Sequence, residues 1–124
     1  MALAEQIKIG GDEMTILEIF EKVNLQVPLE QRRFFNYFND SVIELSSLYP
    51  DFLFQDNAEF TPINTLSDEN IVLPLYTGAI IDNILFLSGQ DETYKGEFIR
   101  KSKSAYLKYW NDNAKGRKMK RMGW

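Results

Sequence analysis

The segment IVLPLYTGAIIDNILFLSG, residues 71–89, is apolar on nearly every face when it is drawn as a helix. Pro74 is typical of a first helical turn and Gly89 of a helix end, so a short extended entry and then a helix are predicted. Asp82 and Asn83 interrupt the segment, which falls short of the ~20 apolar residues needed to cross a bilayer. A helix without a polar face belongs in the middle of a bundle. This segment therefore predicts a bundle built around it.

Apolar periodicity predicts helices on both sides of the central one. The residues ILEIFEKV, 16–23, form a short amphipathic helix for which Asp12 or Thr15 suits the N-cap. A longer helix is predicted from the first-turn proline Pro28 to a stop at Pro50.

The last helix is predicted to begin at Asp91 and to end at Asn113. Lys101 and Lys108, one heptad apart, are expected to point toward water. The core stripe of this helix is expected to consist of Tyr94, Phe98, Ala105, Tyr106, Tyr109 and Trp110.

The stretch DFLFQDNAEFTPI, residues 51–63, is predicted to be an extended excursion or a short β-hairpin that pairs Phe52–Phe54 with Glu59–Thr61. The fold class is therefore mainly α, a bundle of about four helices with this excursion in the middle and a basic C-terminal tail. The predicted organisation is an arm over residues 1–11, one helical domain over 12–113 and a tail over 114–124.

The 124 residues include no cysteine and no histidine. Disulfides, thiolate chemistry, imidazole acid–base catalysis and the usual zinc sites are thereby excluded. Gly10-Gly11 is not a phosphate-binding loop, because no lysine and hydroxyl residue follow it at the required spacing. We therefore expect a non-enzymatic protein without catalytic residues, metal or cofactor. The amino terminus lacks the layout of a secretory signal, which predicts an intracellular protein.

Adjacent carboxylates occur three times, each before an apolar run. They are interpreted as helix-start residues, because free amides and the helix dipole favour carboxylates there. A hard-cation site or an acid–base pair is the weaker alternative. The segment QDNAE, residues 55–59, has similar cation-loop chemistry, but a turn is the favoured interpretation. The three pairs are Asp12-Glu13, Asp68-Glu69 and Asp91-Glu92.

Charge is divided sharply along the chain. Residues 1–94 carry 16 acidic and four basic side chains, a net charge of −12, whereas residues 95–124 carry ten basic and two acidic ones, a net charge of +8. Such a dipole suits head-to-tail contact between copies as well as contact with an acidic partner.

The closing residues KGRKMKRMGW, 115–124, have three interpretations: a solvated tail, a phosphate-binding arm or a protein-docking segment. Docking is favoured because methionines and a tryptophan alternate with the charges, and such side chains are adaptable or large apolar anchors. The predicted docking residues are Lys115, Arg117, Lys118, Met119, Lys120, Arg121, Met122 and Trp124.

The segment IVLPLYTGAIIDNILFLSGQDETYKGEFIRKSKSAYLKYW, residues 71–110, resembles the head–tail connector, or adaptor, proteins of tailed bacteriophages and prophages. In that family an extended lead-in ending in "LP" precedes an apolar helix, a short link and a long amphipathic helix. The helix RRFFNYFNDSVIELSSLYP, residues 32–50, occupies the corresponding upstream place, so the resemblance extends over Pro28 to Asn113.

The resemblance implies a non-enzymatic protein that assembles as a ring, commonly twelve-fold, between the portal protein and a tail or neck protein. It places the protein in the virion neck, and in the host cytoplasm during assembly, with DNA only passing through. It also implies that the carboxyl-terminal segment reaches the portal. The alternative is a small helical nucleic-acid-binding or regulatory protein that uses its basic end.

Overall fold

The computed structural model describes residues 13–51 and 53–122, with side chains up to Asp112 except that of Asn57. Four α-helices follow in order, which confirms the predicted helical bundle. In the described residues no helix is long and apolar enough to cross a membrane. The helices are α1 (Ile16–Gln26), α2 (Gln31–Leu48), α3 (Thr77–Leu87) and α4 (Thr93–Met122).

Thr15 caps α1, as one of the two predicted alternatives required; Asp12 lies outside the described residues. The Thr15 hydroxyl accepts the Glu18 amide at 3.1 Å, while the Glu18 carboxylate accepts the Thr15 amide at 2.9 Å. This reciprocal capping box satisfies two amides that an isolated helix start leaves free. The buried face of α1 consists of Ile16, Ile19 and Val23.

The second helix begins later than the sequence predicts. Pro28 lies in an extended link before α2, because the Asn24 side chain accepts the Leu29 amide at 2.9 Å and holds that link open. Leu29 is buried there. The helix starts at Gln31 and stops at Leu48, just before Pro50 as predicted.

The middle of the chain contains the expected extended excursion. Phe54 and Val72 form an isolated antiparallel bridge, supported by a 2.8 Å hydrogen bond from the Leu73 amide to the Leu53 carbonyl. The turn predicted at QDNAE is present as a 3₁₀ turn over Gln55–Asn57. Phe52, the first residue of the predicted hairpin, lies outside the described residues.

Helix α3 occupies the centre of the fold, as its apolar character predicts. A 3₁₀ turn over Pro74–Tyr76 leads into it, and Gly89 ends it with a φ of 97°, which favours glycine. The helix contacts α1, α2 and α4. Its eleven residues include eight that are buried, so the three other helices pack around it.

Helix α4 begins just after Asp91, whose side chain accepts the Thr93 amide at 3.0 Å. Phe98 and Ala105 are buried, as predicted. Trp110 was predicted to join them, but its side chain is exposed, because Tyr109 takes the core-facing position and Trp110 lies about 100° further round the helix. The backbone stays helical to Met122, past the predicted end at Asn113.

Candidate docking surface

Large apolar side chains are exposed along one side of α4. Ile99 is 51% exposed, Leu107 is 45% exposed and Trp110 is 39% exposed. Lys103, also exposed, lies between Ile99 and Leu107. These four residues, spaced i, i+4, i+8 and i+11, return to the same side of a helix. We call them the α4 stripe.

A polar network fixes the start of α4, one turn before Ile99, to the bundle. The Lys95 ammonium donates to Glu44 Oε2 of α2 at 2.6 Å and to Asn83 Oδ1 of α3 at 3.2 Å. It also lies 4.6 Å from the centroid of the Phe98 ring, a cation–π contact. One lysine therefore joins three helices.

Asn83 is the centre of this network and is fully buried. Its amide nitrogen donates to the Ser41 hydroxyl at 2.9 Å, and that hydroxyl in turn donates to the Tyr37 carbonyl at 2.8 Å. Buried polar groups of this kind stabilise a fold when each has a partner, and they fix its register. The network thus sets how α4 is rotated about its own axis.

Lys101 provides a second anchor, which corrects the prediction that it points toward water. Its ammonium lies 2.7 Å from Oδ2 of Asp82, a carboxylate on α3 that is almost fully buried. A buried carboxylate is costly unless paired, so the lysine stem lies across α3 to reach it. The stem crosses at Gly78, where an added Cβ would be 3.7 Å from Lys101 Cδ.

Tyrosines form the third contact between α4 and the rest of the bundle. The Tyr109 hydroxyl accepts the Leu75 amide at 2.9 Å, and the Tyr106 ring stacks on Tyr49 with centroids 4.8 Å apart. Tyr76 is fully buried among them. Burial, followed by the neighbouring tyrosines, raises the pKa of Tyr76 well above its ordinary value. Burial likewise raises the pKa of Tyr109, although the bond from Leu75 opposes this.

A matching exposed stripe lies on α1. Leu25 is 87% exposed and Leu17 is 43% exposed, and Glu21 between them is exposed as well. Their spacing is i, i+4 and i+8, the same as that of Ile99, Lys103 and Leu107. We call these three residues the α1 stripe. The two stripes carry opposite charges at their centres.

The predicted docking residues lie only partly within the described structure. The backbone of Lys115, Arg117, Lys118, Met119, Lys120, Arg121 and Met122 is the last part of α4, but their side chains lie outside the described ones, as does Trp124. Sequence analysis missed Ile99 and Leu107. Their i, i+8 spacing, on a different side of the helix from Phe98 and Ala105, could have indicated them.

The paired acids have different local roles. Asp91 is at a helix start as predicted, but Asp68 is not: its carboxylate accepts the Asn64 and Thr65 amides at 2.7 and 3.1 Å and closes a turn. The hydrogen bonds from these two amides lower the pKa of Asp68, and the bond from Asn64 has the larger effect. In the described part of the chain, no group of three His, Cys, Asp or Glu side chains is placed to hold a metal ion.

A cleft of about 370 Å³ lies beside the extended excursion and is lined by Phe38 and by residues 58–64 and 68–72. The Asn39 side chain holds one wall of this cleft, donating to the Ile63 carbonyl at 3.0 Å and accepting the Ile63 amide at 2.9 Å. The cleft is therefore explained by the way this loop packs against α2.

Comparisons with protein-family models, with curated proteins and with solved structures found no match.

Proposed function

We propose that this chain is a non-enzymatic structural protein of a phage neck, a connector that assembles as a ring and joins the portal to a tail or neck component. The observation that carries the proposal is the α4 stripe: three large apolar side chains lie exposed on a helix whose other side is held by ion pairs and buried hydrogen bonds. A row of exposed apolar side chains along one side of a helix, on an otherwise well-packed domain, is typical of protein-interaction surfaces.

The order of elements supports the phage assignment. The resemblance rests on an upstream helix, an extended lead-in ending in Leu73-Pro74, an apolar helix, a short link and a long amphipathic helix. α2, the excursion, α3, residues 88–92 and α4 follow one another in that order. The lead-in ends where Pro74 opens the 3₁₀ turn.

The charge distribution supports ring assembly. Copies with an acidic front part and a basic end attract one another head to tail, and a head-to-tail contact closes into a ring when its rotation divides a full turn. The basic end of α4 and the residues that follow it then contact the portal, with charges steering the approach and Met119, Met122 and Trp124 as anchors.

Light scattering coupled to size exclusion tests the proposal, on the full chain and on a chain that ends at Asn113. We expect a discrete oligomer for the full chain over a wide concentration range. A monomer at every concentration would overturn the proposal.

A salt series separates ring assembly from the nucleic-acid-binding alternative. Phosphate binding weakens steeply with rising salt, because each neutralised phosphate releases counterions. An interface with apolar anchors is much less sensitive. The full chain is therefore expected to bind duplex DNA weakly in moderate salt while its oligomer persists. Tight DNA binding by a monomeric chain would favour the alternative.

A further inference from the structure

The α1 and α4 stripes are matched in pattern and opposite in charge. Leu17, Glu21 and Leu25 read apolar, acidic, apolar, and the α4 stripe reads apolar, basic, apolar over Ile99, Lys103 and Leu107. Each set spans nine residues, and its two ends lie about 12 Å apart along the helix. When the two stripes lie side by side, whether parallel or antiparallel, their apolar ends meet and the two charges lie opposite each other.

Both charges are available for a second molecule. Among the described residues, neither Glu21 nor Lys103 has an ion-pair partner in its own chain. Several other charges on the same helices are already engaged: Glu18 belongs to the capping box, and Arg100 pairs with Glu97 at 2.6 Å. The centre of each stripe therefore keeps its charge free.

The two stripes do not cover each other within one chain. Both are exposed, although α1 and α4 each pack against α3. A contact between the α1 stripe of one copy and the α4 stripe of another uses two different surfaces, and such a contact propagates from copy to copy.

We propose that the α1 stripe of one copy docks on the α4 stripe of the next, with Glu21 paired to Lys103 between two apolar contacts. This inference rests on the proposed ring assembly and adds the surface by which neighbours recognise each other. The apolar side chains supply the buried centre of the contact, and the ion pair fixes partner and register.

Disulfide trapping tests the contact directly, because the natural chain has no cysteine. Glu21→Cys and Lys103→Cys chains are mixed in equal amounts under mild oxidation. We expect the mixed dimer to form at least ~10-fold faster than either self-dimer, since a disulfide needs Cα atoms within about 7 Å. Glu30→Cys, exposed and outside the stripe, is the matched control. Equal rates for the Glu21 and Glu30 positions would overturn the inference.

Charge exchange distinguishes this inference from the proposed function. Glu21→Lys alone and Lys103→Glu alone should each dissociate the oligomer, and the two changes together should restore it. Both positions are exposed, so helical content is expected to stay unchanged by circular dichroism. If the natural chain assembles but the single variants assemble equally well, the stripe contact is wrong and ring assembly stands. If the natural chain is monomeric and shows no trapping preference, both fail.

Discussion

The ammonium group of Lys95 on α4 lies 2.6 Å from Oε2 of Glu44 on α2, and both groups also reach Asn83 of α3. The three side chains come from three helices and meet beside the core. This network holds the inner side of α4, so the outer side presents its apolar residues in a fixed orientation. Docking through the α4 stripe depends on that fixed orientation.

Removing the centre of the network should destabilise the fold. Asn83→Ala removes, at a fully buried position, the donor to the Ser41 hydroxyl and one acceptor of the Lys95 ammonium, which costs about 2 kcal/mol. Urea unfolding followed by circular dichroism measures the difference. Asn111→Ala, at an exposed position of the same helix as Lys95, is the control and should change stability by less than ~0.5 kcal/mol. Equal stabilities for the two variants would show that the network contributes nothing.

Lys101 and Lys108 offer a matched comparison, because they are one heptad apart on α4. Lys101→Met removes the partner of the buried Asp82 carboxylate and should lower the free energy of unfolding by about 2 kcal/mol, less than for a fully buried pair because the lysine is partly exposed. Lys108→Met, at an exposed position, should be nearly neutral. The urea midpoints decide the matter, and a similar small loss for both would contradict the assigned anchor role.

Tyr76 and Tyr109 should respond oppositely to loss of the hydroxyl. The Tyr76 hydroxyl is buried with no hydrogen-bond partner among the described residues, so Tyr76→Phe should leave stability unchanged or raise it by up to ~1 kcal/mol. Tyr109→Phe removes the acceptor of the Leu75 amide and should cost about 1 kcal/mol. Thermal unfolding of both variants tests this ordering, and a larger loss for Tyr76→Phe would refute it.

The raised pKa of Tyr76 predicts alkaline sensitivity. Above the ordinary tyrosine pKa of about 10, the unfolded chain releases this proton while the folded chain keeps it. The unfolded state then binds fewer protons, so the free energy of unfolding falls as pH rises from about 10 upward. Urea unfolding at several pH values should show a shallower fall for Tyr76→Phe than for the natural chain. Parallel curves would argue against a buried neutral hydroxyl.

The capping box predicts a measurable contribution from Thr15. Thr15→Ala removes the acceptor of the Glu18 amide, which should cost about 1 kcal/mol. The exposed Thr61→Ala is the control. Hydrogen exchange gives a second readout, since amides in the first turn of α1 should exchange faster in the Thr15 variant alone.

Local rules predicted the helices well, because their evidence lies within each segment. The apolar run at 71–89 required a central helix, and Pro74, Gly89 and Pro50 marked helix boundaries by backbone chemistry alone. Pro28 misled because its helix-start pattern does not reveal the hydrogen bond from the Leu29 amide to the Asn24 side chain, which keeps residues 28–30 out of the helix.

Contacts between helices explain the remaining differences between the predicted and the observed positions of side chains. Lys101 has the spacing of a surface lysine, and nothing in its neighbourhood along the chain indicates the buried Asp82 that it pairs with. Trp110 is large and apolar, as core residues usually are. However, the hydrogen bond from the Leu75 amide to the Tyr109 hydroxyl fixes the rotation of α4 and leaves Trp110 exposed. The candidate site depends on that rotation, so the periodicity of α4 alone did not identify it.

Electron microscopy of the purified full chain shows whether its copies assemble into rings. We expect closed rings with a single rotational symmetry, in which each copy contacts two neighbours through the α1 and α4 stripes. Isolated monomers, or open filaments with no closed species, would contradict it.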